Sequence, residues 1–142
     1  MKSIKYNTDE LEIDLQLRGQ ITLLQGNTAA GKSYLFNVLK GMDCTDNLYF
    51  INYNMATGNE NVKAIVDYIT NNSDKVILID QSDDIFELHP ELEETIAEDY
   101  KNQYIIIGRN PELIINPSCV SELHIENRKA TLHYLFPEPL TR

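Results

Sequence analysis

The chain has 142 residues, a hydrophobic fraction of 42%, a charged fraction of 24% and a formal net charge of -10. That length suits one domain with a real core and is short for two. The negative charge opposes contact with nucleic-acid phosphates and anionic membranes, and no apolar run is long enough to cross a bilayer. The opening MKSIKYNTDELEID lacks the apolar stretch of a secretory signal, so a cytoplasmic location is expected. Cys44 and Cys119 have no metal-ligand or redox spacing and read as reduced thiols. His89, His124 and His133 are far apart and suggest no metal cluster.

In chain order, Leu11, Ile13, Leu15 and Leu17 alternate with polar partners over 11–17, the period of a half-buried strand. Arg18-Gly19-Gln20 reads as a turn, and Ile21–Gln25 as a buried strand that enters a Gly-rich loop. Residues 32–41 read as a helix stopped by Gly41. Asn47–Asn54 reads as an aromatic-rich strand, and 60–72 as a helix with Val62, Ile65, Val66 and Ile69 on one stripe. Lys75–Asp80 is an apolar run ending in an acid, the pattern of a strand buried on both faces. Residues 90–101 read as a helix with Pro90 in its first turn, and Tyr104–Ile107 as a second buried strand. A short helix or turn is expected after Pro111. Residues 121–126 and 130–136 read as a hairpin, and 137–142 as a tail. This alternation implies a single α/β domain over 1–142 with a mostly parallel central sheet. The antiparallel pieces at the two chain ends are expected at its edges.

Gly26-Asn27-Thr28-Ala29-Ala30-Gly31-Lys32-Ser33 fits G-x-x-x-x-G-K-[ST] without mismatch. Gly26 and Gly31 allow backbone angles a side chain would forbid, and the small Ala29 and Ala30 leave N–H groups open to ring a β-phosphate. Lys32 would reach the β- and γ-phosphates, and the Ser33 hydroxyl would bind Mg²⁺. That metal also needs a carboxylate nearby, and Asp80 ends an apolar strand in the Walker B manner. No N-K-x-D guanine motif occurs, so ATP is expected over GTP. Tyr6 and Tyr34 read either as base-stacking groups or as core aromatics.

Around these motifs the chain resembles the ABC-type ATPases, in their soluble, DNA-repair and SMC-like branch. The resemblance rests on LEIDLQLRGQITLLQGNTAAGKSYLFNVL and on ILIDQSDDIFELHPELEETIAEDYKNQYIIIGRNPELI, with Leu88-His89-Pro90 after the acidic strand. It implies a P-loop NTPase of three-layer α/β form, with ATP and Mg²⁺ as cofactors. It also implies Gly26–Ser33 and Tyr34 at the nucleotide, Ser33 and Asp80 at the metal, and Lys32, Gln81 and Arg109 in catalytic places. The departures matter more. Where the family has a Glu to polarise water, this chain has Gln81, which can orient a water but cannot accept its proton. Asp83 and Asp84 read either as substitutes or as a solvated loop, the latter favoured. Arg109, at the switch-histidine position, reads equally as a γ-phosphate contact or a surface charge. Asn54 aligns with a family Gln that reads Mg²⁺ and water, though a polar strand end is the better reading. The helical arm and the Ser-Gly-Gly signature are absent, so two copies cannot complete each other's sites in the family's way. The expectation is a minimal ATPase, slow or partner-dependent. The alternative is a non-hydrolysing, nucleotide-gated regulatory or adaptor protein. Either form is expected to work beside another protein chain.

Overall fold

A computed structural model of the chain describes residues 3–25, 32–40, 47–56, 58–108 and 119–134. Its strands are β1 (Ser3–Asn7), β2 (Glu12–Gln16), β3 (Ile21–Gln25), β4 (Leu48–Ile51), β5 (Val76–Ile79), β6 (Gln103–Ile107), β7 (Cys119–Glu126) and β8 (Lys129–Tyr134). Its helices are α1 (Lys32–Lys40), α2 (Asn59–Asn71), α3 (Ser82–Leu88) and α4 (Pro90–Glu98). All eight strands join one sheet in the order β1-β2-β8-β7-β3-β6-β5-β4.

This sheet corrects the expected fold class. A mostly parallel sheet with antiparallel strands confined to its edges does not form. The sheet is mixed, and strands outnumber helices two to one among the described residues. Half of its strands belong to antiparallel hairpins, β1–β2 and β7–β8. The closing hairpin lies inside the sheet, with β7 parallel to β3 and β8 parallel to β2. The physical reason is that period-2 alternation reports which face of a strand is buried. It does not report whether the strand has one neighbour or two. The turn of this hairpin is a two-residue one, with Asn127 and Arg128 at φ 51° and 63°. Such a turn matches the twist of the strands it joins.

The two faces of the sheet are covered differently. On one, Leu35, Phe36 and Leu39 of α1 pack over a cluster that runs from Ile4 and Leu15 to Leu78 and Ile105. On the other, α2, α3 and α4 bury Ile65, Ile69, Ile85, Phe86, Leu92 and Ile96 against Leu23, Ile77, Ile79 and Ile106. That second cluster draws on β3, β4, β5 and β6 alone among the strands. The same face of β2 and β8 carries Glu12 and Asp14, ion-paired to Lys129 at 3.3 and 3.9 Å. All four residues of β5 are buried, so its uninterrupted apolar run serves both clusters. The Tyr49 and Tyr68 rings stack with centroids 3.7 Å apart and hold α2 onto β4.

Several elements depart from the sequence reading: β1 (Ser3–Asn7) is a strand that reading lacks, and α4 ends at Glu98, short of the helix expected over 90–101. Residues 82–88 are helical, not a solvated loop. Asp83 and Asp84 stand in the first turn of α3, where carboxylates favour the positive end of a helix. The strand read as Asn47–Asn54 stops at Ile51. There the Asn52 side chain accepts the Met55 N–H at 2.9 Å and the chain turns over Tyr53–Ala56. Among the described residues no helix is long and apolar enough to cross a membrane.

Candidate functional site

Three parallel strands define the edge at which the sequence motifs meet. β3 pairs with β6 through Leu24 and Ile107, and β6 pairs with β5 through Ile106 and Ile79. Leu24, Ile107 and Asp80 are therefore level across β3, β6 and β5. The end of β3 and Asp80 are two interstrand spacings apart, roughly 10 Å. Helix α1 begins at Lys32, seven residues after Gln25. The chain thus runs strand, Gly-rich segment, helix, as the motif requires. Gly26, Asn27, Thr28, Ala29, Ala30 and Gly31 lie outside the described residues, and so does Arg109. For Lys32 and Ser33 the backbone is described as the start of α1.

Asp80 follows the last buried residue of β5 and is partly exposed. Its N–H donates to the Ile51 carbonyl at 2.9 Å, so the β4–β5 ladder extends to the acid itself. One carboxylate oxygen accepts the Gln81 N–H at 2.9 Å. Among the described residues nothing is hydrogen-bonded to the second oxygen.

Gln81 is exposed and left-handed, at φ 56° and ψ 44°, which costs a non-glycine residue on the order of 1–2 kcal/mol. The neighbouring contacts compensate. The Gln81 carbonyl accepts the Ile85 N–H at 3.2 Å and starts α3. The hydroxyl of Ser82, fully buried, donates to the Ile107 carbonyl at 3.2 Å. Gly108 comes so close to Ser82 and Asp83 that a Cβ there would lie 3.1 Å from an Asp83 carboxylate oxygen and nearer still to the Ser82 hydroxyl. The start of α3 is thereby clamped to the end of β6. Sequence reasoning missed this clamp. Its one legible sign was a glycine directly after an apolar strand.

The other sequence-derived residues are more scattered. Tyr34 is 45% exposed on α1, with its hydroxyl 3.4 Å from Glu10, so it is not a core aromatic. Tyr6 is half-buried against the α1-side cluster. Asn54 sits in the turn after β4 and is exposed, rather than at a strand end. His89 is buried between α3 and α4, where its N–H donates to Ile85 and its carbonyl accepts from Leu92. That makes Leu88-His89-Pro90 a helix junction.

An open groove of about 630 Å³ is lined, among the described residues, by Gln81, Tyr53, Asp84, Glu87 and Leu88. Among the described residues no group of three or more histidine, cysteine or acidic side chains is arranged to hold a metal. A Mg²⁺ bound through one carboxylate, a hydroxyl, phosphates and waters needs no such cage, and Asp80 fits that role. No protein-family model matches this chain, and no curated protein matches it.

Proposed function

We propose that this chain binds Mg-ATP at Gly26–Ser33 and hydrolyses it slowly, or only with a partner. The observation that carries the reading is Gly26–Ser33 itself, an unbroken phosphate-loop motif between β3 and α1, with Asp80 level with the end of β3. Backbone N–H groups and the start of α1 would cradle the phosphates. Lys32 would neutralise charge on the transferring group, and Tyr34 is the nearby aromatic on α1. Ser33 and Asp80 would hold Mg²⁺, which polarises the β- and γ-phosphate oxygens when bound. Gln81 would orient the attacking water without taking its proton, which keeps turnover slow. Arg109, next to Gly108, would add a second positive charge at the γ-phosphate.

The second reading, a nucleotide-gated adaptor that does not hydrolyse, is favoured by Gln81 standing where a general base is wanted. A calorimetric titration with Mg-ATP, Mg-ADP and Mg-GTP, with phosphate release followed in the same samples, separates the two. ATP binding with slow release that Lys32→Ala abolishes supports the enzyme. Binding without release supports the adaptor. Lys32→Ala with wild-type affinity for Mg-ATP would sink both.

A further inference from the structure

We infer that the groove beside Gln81 docks a segment of a partner protein that carries an arginine. Gln81, Asp84, Glu87 and Leu88 follow one another at helical spacing, so they share one face of α3 and its leading turn. Leu88 is 55% exposed, and Asp84 and Glu87 are both exposed. Tyr53, 36% exposed, stands across the groove from the turn after β4. Among the described residues neither the Asp84 nor the Glu87 carboxylate has an ion-pair or hydrogen-bond partner.

These features select the occupant. Two like charges three residues apart on a helix repel, and a cation between them removes that cost. The exposed ring of Tyr53 and the side chain of Leu88 favour a cation with an apolar stem. A guanidinium stacks on an aromatic face and donates to two carboxylates at once, which an ammonium does less well. An anionic occupant such as nucleic acid or an acidic lipid surface is repelled. A second copy of this chain, also at a formal charge of -10, meets general repulsion. Docking here needs no nucleotide. The added consequence, that the partner's positive charge acts beside Gln81 on a γ-phosphate, rests on the proposed nucleotide reading.

The test titrates isotope-labelled protein, without nucleotide, with the blocked peptide acetyl-Gly-Leu-Arg-Leu-Gly-amide. The controls are its lysine and citrulline counterparts. Amide shifts at Tyr53, Gln81, Asp84, Glu87 and Leu88 are expected with arginine, weaker with lysine and lost with citrulline. The double variant Asp84→Asn/Glu87→Gln should weaken arginine binding by about tenfold or more. The charge-matched Asp67→Asn/Glu94→Gln, elsewhere on the exposed surface, should change it by less than about twofold. Equal weakening by both pairs overturns the inference in favour of diffuse charge attraction. Equal binding of arginine and citrulline peptides, or no shift in the groove, overturns it outright. Self-association lost in Asp84→Asn/Glu87→Gln would assign the groove to a second copy and also overturn it. Groove shifts in a protein that binds no Mg-ATP by calorimetry would sink the nucleotide reading and leave the docking site standing.

Discussion

Replacing Gly108 with alanine tests whether the start of α3 is clamped to β6. The new methyl would overlap the Ser82 hydroxyl and sit 3.1 Å from an Asp83 carboxylate oxygen. Ser82 is fully buried, and its hydroxyl donates to the Ile107 carbonyl. It can yield only by giving up that bond or by moving the helix. Overpacking of this kind costs about 1–3 kcal/mol, and the broken hydrogen bond adds about 1 kcal/mol. The entropy that alanine removes from the unfolded chain returns about 0.4–1 kcal/mol. The net expectation is about 1–3 kcal/mol of destabilisation, or roughly 3–10 °C in Tm for a domain of this size. Urea unfolding followed by circular dichroism measures it. The sharper readout is the cycle with Ser82→Ala, which removes the atom the methyl strikes. The double variant should be more stable than the sum of the single effects by about 1 kcal/mol or more. A Gly108→Ala protein as stable as wild type, or an additive cycle, would refute the clamp.

Gln81→Glu tests the proposed hydrolysis by supplying a group able to accept a proton from water. It is expected to raise phosphate release by about 10²-fold or more, measured in single-turnover assays with saturating Mg-ATP. An unchanged rate means the attacking water is placed by other residues. Arg128→Gly gives the β7–β8 turn a residue that adopts positive φ without cost. It is expected to stabilise the domain by up to about 1 kcal/mol in urea unfolding, and a lowered midpoint contradicts the turn assignment. Burial, and then the hydrogen bond to Asp99, push the Tyr104 hydroxyl far above its ordinary 10.0. The folded chain keeps a proton that the unfolded chain releases above that value, so stability falls as pH rises past 10. Tyr104→Phe should cost about 1 kcal/mol at neutral pH and flatten that alkaline slope. A slope unchanged in Tyr104→Phe assigns it to other groups.

What the sequence made legible tracks how local the signal is. The α2 stripe, Val62, Ile65 and Ile69, is buried as its period predicts, because one face of a helix meets one core. The apolar run of β5 is buried throughout, because no polar side chain interrupts it. The interior position of β7 and β8 was not legible. It depends on backbone pairing with β2 and β3, strands that lie about a hundred residues upstream. Helix α3 was hidden because seven residues give too few turns for a periodicity to appear, and its paired aspartates resemble a loop. At the candidate site, Asp80 was legible as the end of an apolar strand. The left-handed Gln81 was not, since glutamine carries no preference for that conformation.

The two ends of the parallel strands divide the work differently. At the ends where β5 and β6 begin, Asp99 accepts from Tyr104, Asn102 and the Lys101 N–H. Asn102 in turn accepts from the Lys75 N–H at 3.0 Å and donates to the Asn72 carbonyl at 3.1 Å. Gln103 ties the same end to the Gly19 carbonyl at 3.0 Å. These side chains serve the backbone and one another, so that end resists opening, while the buried Gln103 Oε1 has no partner among the described residues. At the opposite ends, Gln81 is held left-handed and exposed, and among the described residues one Asp80 oxygen and the Asp84 and Glu87 carboxylates are unpaired. At that end these carboxylates and the left-handed Gln81 stand together beside a groove. Strain is tolerated where neighbouring contacts over-determine it, and the contact of Gly108 with Ser82 and Asp83 supplies that restraint. Loosening the Asp99 network should therefore lower stability without altering ligand affinity, whereas loosening the Gly108 clamp should alter both.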